Sequence, residues 1–374
     1  PIFLSGTLIS SAACGITSNP IKKNGVITAT LKTVLKIVPP VFPAKSCGVR
    51  LLESPLTTDA TIKRIPTPPM IAVKIVCNVA AVFAPLMLIN VIKNMFNNNN
   101  YDYVICDYTQ NSAYGYIIKS ISPNTKIILI EHDVCFQGLG RKLELCSNPI
   151  KKNIIKNQYN MLKNYETKCL KDFDYVITLN SKDGEIISEY SKVHILNPYI
   201  NIMDLDKKEH EGINIMFWGA MNRMENEDAV MYFINEIWPN VNKENVKFYI
   251  VGSNPSAEVK KLESKNIVVT GFVEDPKEVF EKMDISIVPL RLGAGVKIKV
   301  LESLAAGLPV LTTDVGAEGI MVENRRDILI ENNPKEFAES LNKLIVDKEK
   351  RYIISSNGKR VIQKLILKAI IQKC

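Results

Sequence analysis

From Tyr101 onward the chain alternates short apolar runs with amphipathic stretches, each separated by polar segments of turn length. Tyr103–Cys106, Lys126–Ile130, Asp174–Leu179 and Val193–Leu196 are rich in branched and aromatic residues and predict strands. Between them, Ser112–Ser120 predicts a short helix and Lys151–Lys171 a long one, with Ile154, Ile155, Tyr159, Leu162, Glu166 and Leu170 near helical spacing. Ser181-Lys182-Asp183 has the residue types that open and cap a further helix. The second half repeats the pattern more cleanly. Ile213–Trp218, Val246–Val251, Ile267–Thr270, Asp284–Pro289 and Pro309–Thr312 predict five strands, most ending at a glycine or proline. A helix over Glu227–Trp238 should stop at Pro239. Alternating strands and helices imply parallel sheets with right-handed crossovers. The expected class is therefore α/β, with two doubly wound units and a ligand cleft between them.

The pattern fails near the start. Residues 1–80 hold nine prolines and nine Lys or Arg against only Glu53 and Asp59, with little periodicity. The apolar run Ile75–Ile92 approaches membrane-spanning length, but Asn78, Pro85 and Asn90 interrupt it, so a buried helix is the first expectation, ahead of an interfacial helix or a span. Asn97–Asn100 reads as a polar loop. The expected organisation is a first domain over 1–200, irregular over 1–80, a polar linker over 201–212, and a second domain over 213–349. Residues 350–374 then form a helix that crosses back towards the first domain.

Composition narrows the classes. An apolar fraction of 46% and a charged fraction of 23% describe a globular chain rather than a disordered one. A net charge of +8 favours an anionic partner: a nucleotide, a nucleic acid or an acidic lipid surface. No basic run is interleaved with aromatics in the manner that stacks bases, so nucleic acid is not expected. Peripheral contact with a membrane is compatible with the charge. The cysteines at 14, 47, 77, 106, 135, 146, 169 and 374 show no paired or zinc-binding spacing, and buried free thiols in a reducing compartment are expected. No leader pattern opens the sequence, so the expected location is the cytoplasm, extending to the inner face of a membrane.

The candidate chemistry concentrates between Gly271 and Gly319. A strand, the loop Leu292–Gly295, a helix carrying Lys297, Lys299 and Glu302, and a second strand follow in order. A loop without bulky side chains lets backbone N–H groups approach a phosphate, and the helix start adds partial positive charge. Two lysines add ammonium charge, and Glu302 lies one turn after Lys299, so both can face one ligand. Each also has an ordinary reading as a solvated helix residue. Glu131-His132-Asp133 falls at a carboxyl-terminal strand end, where open α/β sheets bind ligands. Asp204-Leu205-Asp206 has metal-like spacing but sits in the linker, and no metal site is expected.

The blocks FWGAMNRMENEDAVMYFINEIWP, FYIVGSNPSAEVKKL, VVTGFVEDPKEVF and VPLRLGAGVKIKVLESLAAGLPVLTTDVGAEGI closely resemble the C-terminal half of group 1 (family 4) glycosyltransferases over about 213–335. A weaker match covers 101–200, and residues 1–80 match poorly; Gly15 and Gly25 are the only candidates there for the family's N-terminal glycine loop. The resemblance implies two facing Rossmann-like domains of the GT-B type and a nucleoside-diphosphate sugar as donor, without metal or other cofactor. By that resemblance Glu302 would bind the ribose hydroxyls, while Lys297, Lys299 and Arg223 would offset the diphosphate. Gly271, Phe272 and Val273 would meet the base, and His132 would face the donor sugar. Where the wider family carries a second glutamate this chain has Ala294, which leaves sugar recognition to the backbone of Gly293, Ala294, Gly295 and Val296. The implied reaction retains anomeric configuration and moves the sugar to an unidentified acceptor: a glycan, a lipid-linked sugar or a protein. A nucleotide-sugar epimerase and a non-catalytic nucleotide-sugar-binding subunit are the competing readings.

Overall fold

The computed structural model describes residues 47–50, 72–77, 84–198 and 200–371. Contacts divide the chain into two units. The first takes residues up to Phe136 with Asn160–Thr178 and Gly184–Ile195; the second takes Gln137–Tyr159, Leu179–Asp183 and the chain from Leu196.

The first unit is built on a six-stranded sheet in sequential order. Its elements are β1 (Cys47–Arg50), β2 (Ala72–Cys77), α1 (Ala84–Asn98), β3 (Tyr103–Asp107), α2 (Ala113–Ile121) and β4 (Lys126–Glu131). Next along the chain are α3 (Cys135–Leu145) and α4 (Pro149–Leu170), of which Gln137–Tyr159 groups with the second unit, then β5 (Tyr175–Thr178), α5 (Ser181–Ile187), whose first residues to Asp183 also group with the second unit, and β6 (Val193–Ile195). Strands β1 and β2 pair antiparallel; the remaining pairs are parallel. Val104, Cys106, Ile127, Leu129 and Val176 are fully buried, which is the burial their strand alternation demands. Asp174 ties the layer together, accepting from Lys119 Nζ (2.7 Å) and from the Ile127 amide (2.9 Å).

The apolar run Ile75–Ile92 belongs to two elements, the end of β2 and the start of α1, and no described helix is long and apolar enough to cross a membrane. Helix α1 continues through Asn98, into the stretch read as a loop. The long helix begins at Pro149 rather than Lys151 and is preceded by a further helix, α3, that the sequence pattern does not predict. Asn180 caps α5 in place of Ser181, since its Oδ1 accepts from the Asp183 amide at 2.9 Å. Gly15 and Gly25 lie outside the described residues.

The second unit carries a six-stranded parallel sheet in the order β12-β11-β10-β7-β8-β9. In chain order these are β7 (Ile213–Trp218), α6 (Met224–Tyr232), β8 (Val246–Val251), α7 (Ala257–Lys260), β9 (Ile267–Gly271), α8 (Pro276–Phe280) and β10 (Ile285–Val288). Then come α9 (Ile298–Ala305), β11 (Val310–Thr312), α10 (Asp314–Ala317), β12 (Leu329–Ile330), α11 (Pro334–Val346) and α12 (Lys348–Ile371). After α6 the chain widens into a π turn over Phe233–Ile237 and tightens into a 3-10 turn over Trp238–Asn240, so Pro239 sits inside a helical turn rather than ending one. Phe217, Phe233, Phe248, Ile287, Val300 and Leu304 are among the buried residues joining sheet to helices. Residues 201–212 run along this unit: Met203 N donates to Ala305 O, and Lys207 Nζ donates to Phe280 O and Met283 O. Helix α12 packs on α9.

Candidate functional site

Strand β7 pairs with β8 on one side and with β10 on the other, so the winding of the second sheet reverses at the β7/β10 pair. Ligands of open parallel sheets bind beyond the carboxyl ends of strands at such a reversal. Two segments emerge there: 219–223, leading from β7 into α6, and 289–297, leading from β10 into α9. In the second, Gly293 and Gly295 have φ of +107° and +68°, values a side chain resists, so the loop needs glycine at both positions.

Lys297 is the N-cap residue of α9, Lys299 is its second helical residue, and Glu302 follows one turn later. Lys299 Nζ donates to Asn226 Oδ1 and lies 4.4 Å from the centroid of the Phe217 ring. Asn226 is buried and donates from Nδ2 to Ala220 O at 2.8 Å, which holds the 219–223 turn. Glycine at 219 makes room for this contact, since a Cβ there would lie 2.7 Å from Lys299 Nζ. Glu302 Oε2 accepts from Trp218 Nε1 at 2.8 Å. Arg223 occupies the position before α6 and donates from Nε to Glu225 Oε1 at 2.7 Å, with most of its side chain in solvent.

The electrostatics of the cluster follow from burial. Desolvation, reinforced by the Arg223 charge, lowers Lys299 to about 7. Desolvation likewise lowers Lys297 to about 8 despite its acidic neighbour. Burial pushes the Glu302 carboxyl up, opposed by the Trp218 hydrogen bond and the Lys299 charge. An anion placed among these groups would restore full charge to both lysines and would meet the unpaired N–H groups at the start of α9.

Lys297 is more committed than Lys299. Its Nζ donates to Gly295 O at 2.5 Å and lies 3.5 Å from Glu318 Oε2. The Glu318 carboxylate also receives Arg141 Nη2 and Lys182 Nζ, each at 2.5 Å, within the second unit. Arg141 Nη1 donates to Gly293 O as well, so two cations sharing one carboxylate fix the carbonyls on either side of Ala294. Burial raises Glu318, but its bonds to Arg141 and Lys182 outweigh that and hold the carboxyl below its usual range.

The structure thus gathers Arg223, the Gly293–Val296 loop, Lys297, Lys299 and Glu302 at one edge of the second sheet. Gly271 ends β9 on the same edge and accepts from the Gly252 amide at 3.1 Å; the next side chain, Phe272, is 76% exposed, and Val273 packs against buried core residues. Val296 turns its side chain to the core. His132 belongs to the first unit, directly after β4, with Nε2 2.9 Å from Asp107 Oδ1 and its ring stacked on Tyr108. Among the described residues no cluster of three or more His, Cys, Asp or Glu could hold a metal. Sequence reasoning missed Trp218, Asn226, Arg141, Glu318 and Asp107. A polar residue inside an otherwise apolar face was a signal only for Asn226.

A family model described as glycosyl transferases group 1 matches residues 212–347. The chain carries a group 1 glycosyltransferase domain. Over 265 residues it is 25% identical to a 44.6 kDa protein of the cps region of Klebsiella pneumoniae, covering 65% of each. Over 170 residues it is 26% identical to the capsular polysaccharide biosynthesis glycosyltransferase CapM of Staphylococcus aureus, covering 42% of this chain and 44% of CapM. Anabaena HepE, solved in complex with UDP-glucose, superposes with a TM-score of 0.59 at 15% identity, over 78% of this chain and 81% of that one. That likeness shows the fold: two Rossmann-like units of the GT-B type, the glycosyltransferase domain being the second. The matched stretch of that domain begins at the residue before β7 and ends at the residue after α11, so it contains the cluster at the β7/β10 edge.

Proposed function

We propose that the protein transfers a sugar from a nucleoside-diphosphate sugar to an acceptor hydroxyl. The observation that carries this reading is the grouping of Lys299, Glu302 and the Gly293–Gly295 loop at the winding reversal of a group 1 glycosyltransferase domain. Glu302, held by Trp218, offers an acceptor-only carboxylate to the ribose hydroxyls. Lys299 and Arg223 offset the diphosphate, with Lys297 fixing the loop beside it. As the bond from the anomeric carbon to the β-phosphate oxygen breaks, its electron pair passes to that oxygen, and pre-placed cations and the α9 amides stabilise the charge. These groups supply the counter-charge without calling on a metal. The outcome in this reading is retention, with the departing phosphate taking the proton of the acceptor hydroxyl on the same face. His132 serves the donor sugar.

HepE, a GT-B protein by fold, is described with UDP and UDP-glucose, which supports a nucleotide-sugar donor here. A peripheral contact with an anionic membrane belongs to the same reading. Helix α4 supports it, with Ile150, Ile154, Met161 and Tyr165 exposed along one stripe and Lys151 and Lys168 exposed beside them. The experiment is to incubate the protein with UDP-, GDP- and ADP-sugars, with and without glycan and lipid-linked acceptors, and to measure free nucleoside diphosphate. Release that rises with acceptor is expected. A sugar interconverted without release would identify an epimerase, and binding without either outcome a non-catalytic subunit.

A further inference from the structure

Three residues of the first unit, Asp107, Tyr108 and His132, are more tightly organised than a strand edge requires. Asp107 ends β3 and is buried, while His132 follows β4 and keeps 32% of its side chain exposed. His132 Nε2 lies 2.9 Å from Asp107 Oδ1. A carboxylate only accepts hydrogen bonds, so the imidazole nitrogen facing it must carry the hydrogen. That fixes the neutral ring as the Nε2–H tautomer and leaves Nδ1 with its lone pair. Among the described residues Nδ1 has no hydrogen-bond partner.

The ring is clamped from its face as well. Tyr108 stacks on it with centroids 3.9 Å apart and planes 10° from parallel. To do so Tyr108 adopts φ of 73° and ψ of 145°, a region that non-glycine residues rarely enter. Its amide remains bonded to Ile130 O at 2.9 Å, continuing the β3/β4 ladder past Asp107. Asn111 Nδ2 donates to Asp107 O at 2.5 Å and holds the turn from the other side. A strained backbone that persists where it fixes one imidazole marks a ring whose orientation matters.

We propose that Asp107 is a positioning residue that holds His132 as its Nε2–H tautomer, so that Nδ1 accepts a hydrogen bond from a hydroxyl of the sugar substrate. This rests on the glycosyltransferase reading, and it adds to that reading the direction of the hydrogen bond: the ligand donates and the histidine accepts. A sugar lacking the matching hydroxyl, or carrying a methyl ether there, would lose the contact. Tyr108 fixes the plane of the ring, and Asp107 fixes which nitrogen is bare.

The chain has three histidines, so its ring nitrogens can be resolved by long-range proton–nitrogen correlation spectra, with His132→Gln giving the assignment. In the wild type His132 should show the Nε2–H pattern. Asp107→Ala should populate both tautomers, and Asp107→Asn, whose side-chain oxygen still accepts, should fall between. With an active donor, Asp107→Ala should lower kcat by about tenfold to a hundredfold, the scale of a misplaced group, with KM for the donor little changed. Asp107→Asn should recover part of the loss. An Nδ1–H pattern in the wild type, or an unaltered spectrum and rate in folded Asp107→Ala, would overturn the proposal. Absence of donor turnover in the wild type would overturn the glycosyltransferase reading and the hydroxyl contact with it, while the tautomer assignment is decided by the spectrum alone.

Discussion

Lys299 has two partners in the free protein, the Asn226 side chain and the Phe217 ring, and a charge weakened by burial. A diphosphate placed beside it would favour the ammonium form, so binding should take up protons. The sign follows from the values of about 7 for Lys299 and about 8 for Lys297. Below the lower value both lysines are already charged and affinity should be flat with pH. Above it, protonation must accompany binding, so affinity for a nucleoside diphosphate should fall as pH rises through 7 to 9. Titration calorimetry in buffers of different ionisation enthalpy would measure the uptake directly, and Lys299→Met should remove much of it. No uptake at pH 8 would separate these lysines from the phosphates. Much of this residue layer was legible in the sequence, because Lys297, Lys299 and Glu302 are close neighbours whose spacing a helix fixes. Their partners were not. Trp218, Asn226 and Glu318 come from other elements, and nothing local to α9 points to them. The missing acid at Ala294 is one such case: Glu318 supplies a carboxylate to the loop from beyond β11, bound to cations rather than open to a sugar.

At the scale of elements, the start of α3 depends on a residue from the far end of α4. Glu166 is fully buried, and its two oxygens accept from the amides of Cys135 (2.9 Å) and Phe136 (3.1 Å). Burial pushes its carboxyl up, while a hydrogen bond from the equally buried Glu131 and the two amides favour the charged form. Two helix-start N–H groups are thus satisfied by a distant side chain. Glu166→Ala would leave both unpaired and should cost about 2–6 kcal/mol in chemical denaturation, since each orphaned buried group costs about 1–3 kcal/mol. A loss below about 0.5 kcal/mol, typical of surface changes, would contradict the capping role. Helix α3 is hard to see in the sequence because CFQGLGRKLEL is short and carries two glycines, although Phe136, Leu139 and Leu143 lie at helical spacing. Glu166 in turn was read as one position on an amphipathic face. The run at Ile75–Ile92 misled for the opposite reason: strand and helix are both apolar, and hydropathy alone does not mark the join.

For the whole molecule, the two sheets and the positions of most strands along the chain follow from alternation that the sequence displays openly, because parallel strands buried on both faces must be apolar. The net charge of +8 and the exposed stripe of α4 act at this scale too. Sedimentation with phosphatidylglycerol vesicles should carry the protein down at low salt and release it at high salt, whereas phosphatidylcholine vesicles should leave it in solution. Ile154→Ser with Met161→Ser should weaken the binding at every salt concentration. Equal partition to both lipids would remove the electrostatic contact.

The β7/β10 edge of the second unit should hold a nucleoside diphosphate through Glu302 and the start of α9. Titration of UDP, GDP and ADP into the wild-type chain and into Glu302→Ala tests this. At least one nucleotide should saturate the wild type and should bind the variant about tenfold to a hundredfold more weakly, the scale of a hydrogen bond to a charged group, with the circular dichroism unchanged. Equal affinity in the two proteins, or no binding of any of the three to the wild type, would contradict it.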